Sequence, residues 1–192
     1  LRLFNAFYEG FPDLSVDIFA GTLVFFNYAD QPAELEPFLQ AALTTYLTRL
    51  PWLKAVLIKT RQDTDPAARR GILLFGTRLD ERICEDGIWY AIDLRMNQDA
   101  SFYLDTQLLR QWLLRNSAGK SVLNTFAYTG SLGVAALAGG AASVLQTDLN
   151  PRFLDLARRS AALNPGLNGR HLLQQGDFFR VSGALRQQDA RF

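Results

Sequence analysis

The sequence holds one cysteine, Cys84, one histidine, His171, and one methionine, Met96. A single cysteine excludes an intrachain disulfide and fits a reducing, cytoplasmic setting. One cysteine and one histidine cannot build a Cys/His metal cluster of the usual spacing, so no metal is expected. No stretch reaches the roughly 18 uninterrupted apolar residues of a membrane helix, so no membrane partner is expected. An excess of charge of one sign is also missing: the formal net charge is +1. The chain as a whole is therefore not a strongly basic nucleic-acid binder. Leu1 is neither an initiator methionine nor the start of a signal peptide, and the chain reads as a piece of a longer one.

What is present is the material of a globular core. Of the 192 residues, 48% are hydrophobic and 20% charged. The charge is uneven. Residues 1–96 carry 10 basic and 13 acidic side chains, a balance of −3, and residues 97–192 carry 10 and 6, a balance of +4. Most basic residues are arginine, whose planar fork suits phosphate.

Two parts follow each other, 1–84 and 85–192. In the first, Ser15–Ala20 and Thr22–Tyr28 are rich in Val, Ile and Phe and read as a hairpin around Gly21. From Pro32 to Leu50 the apolar residues Leu35, Phe38, Leu39, Ala42 and Leu43 recur at helical spacing, and Pro51 ends the run. Lys54–Thr60 reads as a strand, Arg61–Arg70 as a polar loop, and Gly71–Phe75 as a further strand. The order β-β-α-β-β describes a small α/β module.

In the second part, Ile88–Leu94 and Ser101–Leu104 read as two strands of a hairpin. Thr106–Asn116 reads as an amphipathic helix with Asp105 as its N-cap. Then strand and helix alternate: Ser121–Phe126, Gly130–Leu137, Ala142–Thr147, Pro151–Leu163, Arg170–Gln175. That alternation predicts a parallel, doubly wound sheet of Rossmann-like α/β class. Only its first three parallel strands fall within the chain. Such a sheet usually has about five strands or more, so the C-terminal part of this domain is expected outside the sequence.

In this architecture ligands bind at the carboxyl ends of the strands. Val122–Leu132 (VLNTFAYTGSL) is a strand, a turn and the start of a helix. The helix that opens near Gly130 offers free N–H groups and a positive dipole end, which suit a carboxylate. Asp148 ends the second strand, where an acid accepts from a ribose diol. Asp177 follows the third, placed to accept from an adenine amino group, with Phe178 for the ring face. Three groups at three successive strand ends converge on one adenosine-sized cleft. A dinucleotide would need G-x-G-x-x-G, because its pyrophosphate lies on bare backbone. Ala127 and Tyr128 stand where the early glycines would be, and Tyr128 obstructs a pyrophosphate. S-adenosylmethionine has none. The sequence therefore favours that methyl donor as cofactor over a nicotinamide.

Asn124–Ser131 (NTFAYTGS) resembles the N-x-F-x-Y-T-G motif of bacterial class I methyltransferases acting on 23S ribosomal RNA. Asn97–Arg110 (NQDASFYLDTQLLR) resembles their (F/Y)-(F/Y)-L-D-x-R segment. Glu85–Tyr90 (EDGIWY) is similar to their acidic-hairpin entry, and Phe7–Phe19 to their G-x-P-G-L-x-V-D motif. The resemblance covers nearly the whole chain and is weakest over residues 30–80. It implies that Phe102, Tyr103 and Asp105 line the methionine side of the donor site and that Asn124, Phe126, Tyr128, Thr129 and Gly130 form its floor. Asp148 would hold the ribose, and Asp177 the adenine. Gln107 departs from the family arginine, and Arg110, one helical turn on, is an alternative partner for Asp105. The family's Asp/Asn-Pro-Pro-type motif beside the target base is absent here, and Cys84 reads as an ordinary thiol.

The expected function is methylation of a ribosomal RNA base, with the first part presenting RNA through Lys54, Lys59, Arg61, Arg69 and Arg70. Two alternatives are a methyltransferase for a small molecule or protein, and a non-catalytic module that binds adenosine or RNA.

Overall fold

The computed structural model describes residues 1–192. These divide into two compact units, Leu1–Glu81 with Asp93–Ser101, and Arg82–Ile92 with Phe102–Phe192. A boundary between Cys84 and Glu85 falls inside a strand of the second unit.

The first unit carries β1 (Arg2–Asn5), β2 (Leu14–Phe19), β3 (Thr22–Asn27), α1 (Glu36–Arg49), β4 (Ala55–Thr60), α2 (Pro66–Arg70) and β5 (Ile72–Phe75). They form one sheet in the order β1-β2-β3-β4-β5. The β3–β4 pair is parallel and the other neighbours are antiparallel. Parallel neighbours need a long crossover, and α1 supplies it. Val16, Ile18, Leu23, Phe25, Val56 and Ile58 alternate along their strands and bury one face with Leu35 and Leu39. Phe38, expected on the buried helix face, is 57% exposed and rests its ring 5.2 Å from Phe11. Residues 61–70 are not wholly loop. The Asp65 carboxylate accepts from the Ala67 N–H and Pro66 follows it, which starts the short helix α2.

The second unit opens with the hairpin β6 (Arg82–Glu85) and β7 (Ile88–Ala91). This corrects the sequence expectation of a hairpin between residues 88–94 and 101–104. The turn is Asp86-Gly87, with φ of 52° and 79°. Two successive left-handed residues give the tight connection that matches strand twist. Ser101 has φ 56°, which breaks any strand there, and residues 104–106 form one helical turn. Asp105 lies within that turn and caps nothing, also contrary to expectation.

There follow α3 (Gln107–Asn116), β8 (Ser121–Thr125), α4 (Ser131–Ala138), β9 (Ser143–Asp148), α5 (Pro151–Ala162), β10 (Arg170–Gln175) and α6 (Phe178–Gln187). The sheet is parallel in the order β10-β9-β8, as the strand–helix alternation predicts. Ala136, Leu137, Ala141 and Val144 form a core patch, with Leu113, Val122 and Leu167 packed on it. In register, Thr125 lies beside Thr147, and Asp148 beside Gln175. The three carboxyl ends therefore lie level, and the loops that leave them are neighbours. No helix is long and apolar enough to cross a membrane.

Lys59 does not face solvent. It is buried in the first unit, and its Nζ donates to the carbonyls of Asn97 and Asp99. Arg61 pairs with the Asp99 carboxylate at 2.6 Å and lies over the Tyr28 ring. Lys59 is thus a structural clamp on residues 93–101 and not a surface contact for RNA. Burial pushes its ammonium down from 10.5 to about 8, with Asp99 and Asp93 opposing the drop and Arg61 and Arg95 adding to it. Between those two values the folded chain sheds a proton that the unfolded chain keeps. Fewer protons bound in the native state means that stability rises with pH across that window. Below it both states are charged, and the full burial cost is present. Urea titrations at pH 7.5 and 10 should show wild type gaining stability relative to Lys59→Met. Parallel behaviour of the two would remove this account of Lys59.

Candidate donor site

The turn after β8 is held in an unusual backbone path. Phe126, Tyr128 and Gly130 all have positive φ, at 53°, 50° and 78°. The left-handed region is rare for aromatic residues and stores strain where it occurs. Three hydrogen bonds donated by backbone N–H groups hold it. The Ala127 N–H donates to the Thr147 carbonyl at 2.8 Å, and the Gly130 N–H to the Ala127 carbonyl at 2.8 Å. The Tyr128 N–H donates to Asp148 Oδ2, also at 2.8 Å.

Asp148 is the hub of this arrangement. Its second oxygen, Oδ1, accepts from the Asn150 N–H at 2.9 Å. Asn150, not Asp148, caps α5, accepting from the Arg152 N–H. Each carboxylate oxygen has two acceptor positions, so Asp148 keeps capacity for a ligand after these two bonds. Gly130 precedes α4 and has no side chain to cap its first turn, so that turn keeps donor groups for an anion.

The aromatic residues fall into two groups. Phe126 is 71% exposed and stacks on Phe178, with centroids 5.0 Å apart and planes at 27°. Tyr128 stands between Tyr103, at 4.9 Å, and Phe153, at 4.6 Å. Thr129 and Gly130 are buried beneath the turn. Phe153 was not singled out from the sequence, although it lies on the first turn of α5, after the Asp148 strand end.

The remaining expected residues are placed less directly. Phe102 is buried, with its ring 5.1 Å from Tyr90 and the Arg110 guanidinium 4.1 Å above it. Asp105 is exposed. Arg110 does not meet Asp105. It is fully buried and pairs with Glu85 through two bonds, Nε to Oε2 at 2.6 Å and Nη2 to Oε1 at 2.9 Å. Its Nη1 donates to the Tyr103 carbonyl and to Thr106 Oγ1. Asp177 caps α6, its Oδ1 accepting from the Phe179 and Arg180 N–H groups. That leaves Oδ2 for another partner. Asn124 points its amide at Gln146, donating to Oε1 at 3.0 Å.

The donor set fits S-adenosylmethionine. An uncapped helix start would suit a carboxylate, an acid with spare acceptors a diol, and an exposed stacked aromatic pair a purine. Tyr128, wedged between two rings, stands where a pyrophosphate would need bare backbone. No group of three His, Cys, Asp or Glu side chains comes together as a metal site.

Known proteins point the same way. A family model described as S-adenosylmethionine-dependent methyltransferase matches residues 2–190. A ribosomal RNA large subunit methyltransferase of Deinococcus radiodurans is 32% identical over 184 residues, covering 93% of this chain and 44% of that protein. A ribosomal RNA large subunit methyltransferase I of Aeromonas hydrophila is 30% identical over 194 residues, covering 100% of this chain and 49% of that protein. A crystal structure of a protein assigned as a methyltransferase, complexed with SAH, superposes with a TM-score of 0.85 at 26% identity, covering 98% of this chain and 48% of that one. The chain spans about half the length of the curated relatives it matches.

Proposed function

The chain belongs to the family of S-adenosylmethionine-dependent methyltransferases, and on that premise we propose that it binds S-adenosylmethionine where β8, β9 and β10 end and serves methyl transfer to a base of large-subunit ribosomal RNA. One observation carries the donor half. Asp148 is fixed against the strained Phe126–Gly130 turn by the Tyr128 N–H at 2.8 Å. The acceptor half rests on relatives named for that RNA.

When bound, S-adenosylmethionine supplies a methyl group on a positively charged sulfur, open to attack by a nucleophilic base atom. The chain's own residues act by positioning. The first turn of α4 orients the carboxylate, with Thr129 and Gly130 keeping the backbone close. Asp148 accepts from the ribose hydroxyls. Phe126 and Phe178 offer an apolar surface to the adenine, and Asp177 Oδ2 accepts from its amino group. Tyr103, against Tyr128, borders the methionine side, while Phe102 and Asn124 support that wall and floor from behind. An RNA base must leave its stack to reach such a site. Lys54, Arg69 and Arg70 remain as basic residues of the first unit for phosphate contact, with the buried Lys59 and the Asp99-paired Arg61 removed from that set.

The test is transfer of labelled methyl from S-adenosylmethionine to deproteinised large-subunit ribosomal RNA by the full-length protein. Transfer is expected, together with RNA binding that weakens as salt rises, because phosphate contacts release counterions. SAH binding without transfer to this RNA would remove the acceptor assignment alone. No SAH binding at all would remove the whole reading.

A further inference from the structure

Gln146 lies in the middle of β9, fully buried, between Leu145 and Thr147. A long amide in that place needs an explanation, because a buried amide must satisfy two donors and an acceptor. Its partners come from both neighbouring strands. Asn124 of β8 donates to its Oε1 at 3.0 Å. Its Nε2 lies 2.8 Å from His171 Nε2 of β10. An amide that donates there requires His171 Nε2 to accept, which places the imidazole proton on Nδ1. Burial, with Arg158 adding to it, lowers the tendency of His171 to protonate and so keeps that ring neutral.

The same amide touches α4 from below. A Cβ built on Gly133 would stand 2.2 Å from Gln146 Cδ and 2.4 Å from Oε1, and one on Gly130 would stand 2.9 Å from Oε1. The space that side chains at 130 and 133 would take is thus filled by Gln146, and at Gly130 also by Ala157, whose Cβ would be 2.3 Å away. The first turn of α4 rests on a carboxamide held from two sides.

We propose that Gln146 is a positioning residue for the donor site. Held between Asn124 and His171, its carboxamide sets the height of the Gly130–Gly133 turn and so the aim of the first N–H groups of α4. It touches no ligand itself and acts through the two glycines. This deepens the donor-site reading and rests on it.

A size-swap cycle in the full-length protein tests it. Gly133 has no left-handed φ, so alanine is permitted there by backbone, and the nearest atoms that oppose it are those of the Gln146 carboxamide. Gly133→Ala overpacks the seat, and Gln146→Ala empties it. Each single change should weaken SAH binding about tenfold, the scale of a packing error of one to two kcal/mol passed to the ligand. The double variant Gly133→Ala/Gln146→Ala relieves the clash and refills part of the emptied space, one carbon against four heavy atoms removed, so it should bind SAH no more weakly than either single variant, a strongly non-additive result. Hydrogen exchange at the amides of residues 131–134, measured without ligand, should follow the same order: faster in each single variant, and no faster in the double than in either single. Additive losses in the double variant would overturn the proposal. So would singles that lower the melting temperature yet leave both affinity and local exchange unchanged. If wild type binds no SAH, the donor reading fails, while the exchange cycle still decides whether Gln146 seats α4.

Discussion

Asp148→Ala should lower SAH affinity by about two orders of magnitude while leaving the protein folded. The carboxylate holds two backbone N–H groups, of Tyr128 at 2.8 Å and Asn150 at 2.9 Å, and both bonds are partly buried. In the proposed complex its remaining acceptors take the ribose hydroxyls. Hydrogen bonds to a charged group contribute about 1.5–3 kcal/mol each, so losing a bidentate contact costs roughly 100-fold in binding. The loss of the Tyr128 bond adds to this, because that bond helps to hold the left-handed Tyr128 on its path. Asp148→Asn separates the two effects. It keeps a single oxygen and puts an amide donor beside either the Tyr128 or the Asn150 N–H, so it should retain most stability but still lose about tenfold or more in affinity. Calorimetric titration with SAH, alongside thermal unfolding, reads both. Equal binding by wild type and Asp148→Ala would end the assignment of Asp148 to the ligand.

The sequence made this site legible because its parts are local. Each strand end is followed at once by the residue in question: Phe126 after Thr125, Asp148 closing its strand, Asp177 after Gly176. The strand–helix alternation fixes that these ends lie together. A cap and a proline side by side made the helix start readable at Asn150 and Pro151 but not at Asp65 and Pro66, where the helix is only five residues long. Long-range pairings were not readable. β1 is four residues long and owes its place to β2, where Arg2 pairs with Asp17 at 2.8 Å. The hairpin was displaced because Phe102 and Tyr103 look like strand residues, whereas the left-handed Ser101 and the Asp86-Gly87 turn decide otherwise. The helix α6 escaped notice because Asp177, its cap, was assigned wholly to a ligand. Gln146 and His171 gave no signal either. Their meeting depends on the side-by-side order of β9 and β10, and a single glutamine within a strand carries no periodicity of its own.

Arg110 is the other residue whose importance comes only from the fold, and its removal should have the largest effect on stability. Its guanidinium is 1% exposed and its partner Glu85 is 15% exposed at the side chain. The pair is bidentate, at 2.6 and 2.9 Å, and the third nitrogen holds the Tyr103 carbonyl at 2.8 Å and Thr106 Oγ1 at 2.6 Å. Below it lies the face of Phe102 at 4.1 Å. One side chain thus ties the hairpin strand β6 to Tyr103 and to Thr106, which flank and close the helical turn. Arg110→Ala leaves Glu85 buried without its countercharge, a defect worth about 3–5 kcal/mol. Arg110→Lys should recover little of this, because an ammonium cannot reproduce the fork that reaches two oxygens of Glu85 and two groups on the 103–106 turn. A paired replacement by apolar residues, Glu85→Leu with Arg110→Met, should restore much of the stability, since it removes both charges from the interior. It should not restore SAH affinity to the same degree. Tyr103 would lose the Arg110 bond to its carbonyl, which would keep the Thr106 Oγ1 bond at 2.9 Å, and its ring contact to Tyr128 at the border of the donor site would loosen. Urea unfolding and SAH titration on the four proteins separate the outcomes. A lysine variant as stable as wild type would show that charge alone is needed. A paired variant with full stability and full affinity would show that Arg110 has no part in placing Tyr103.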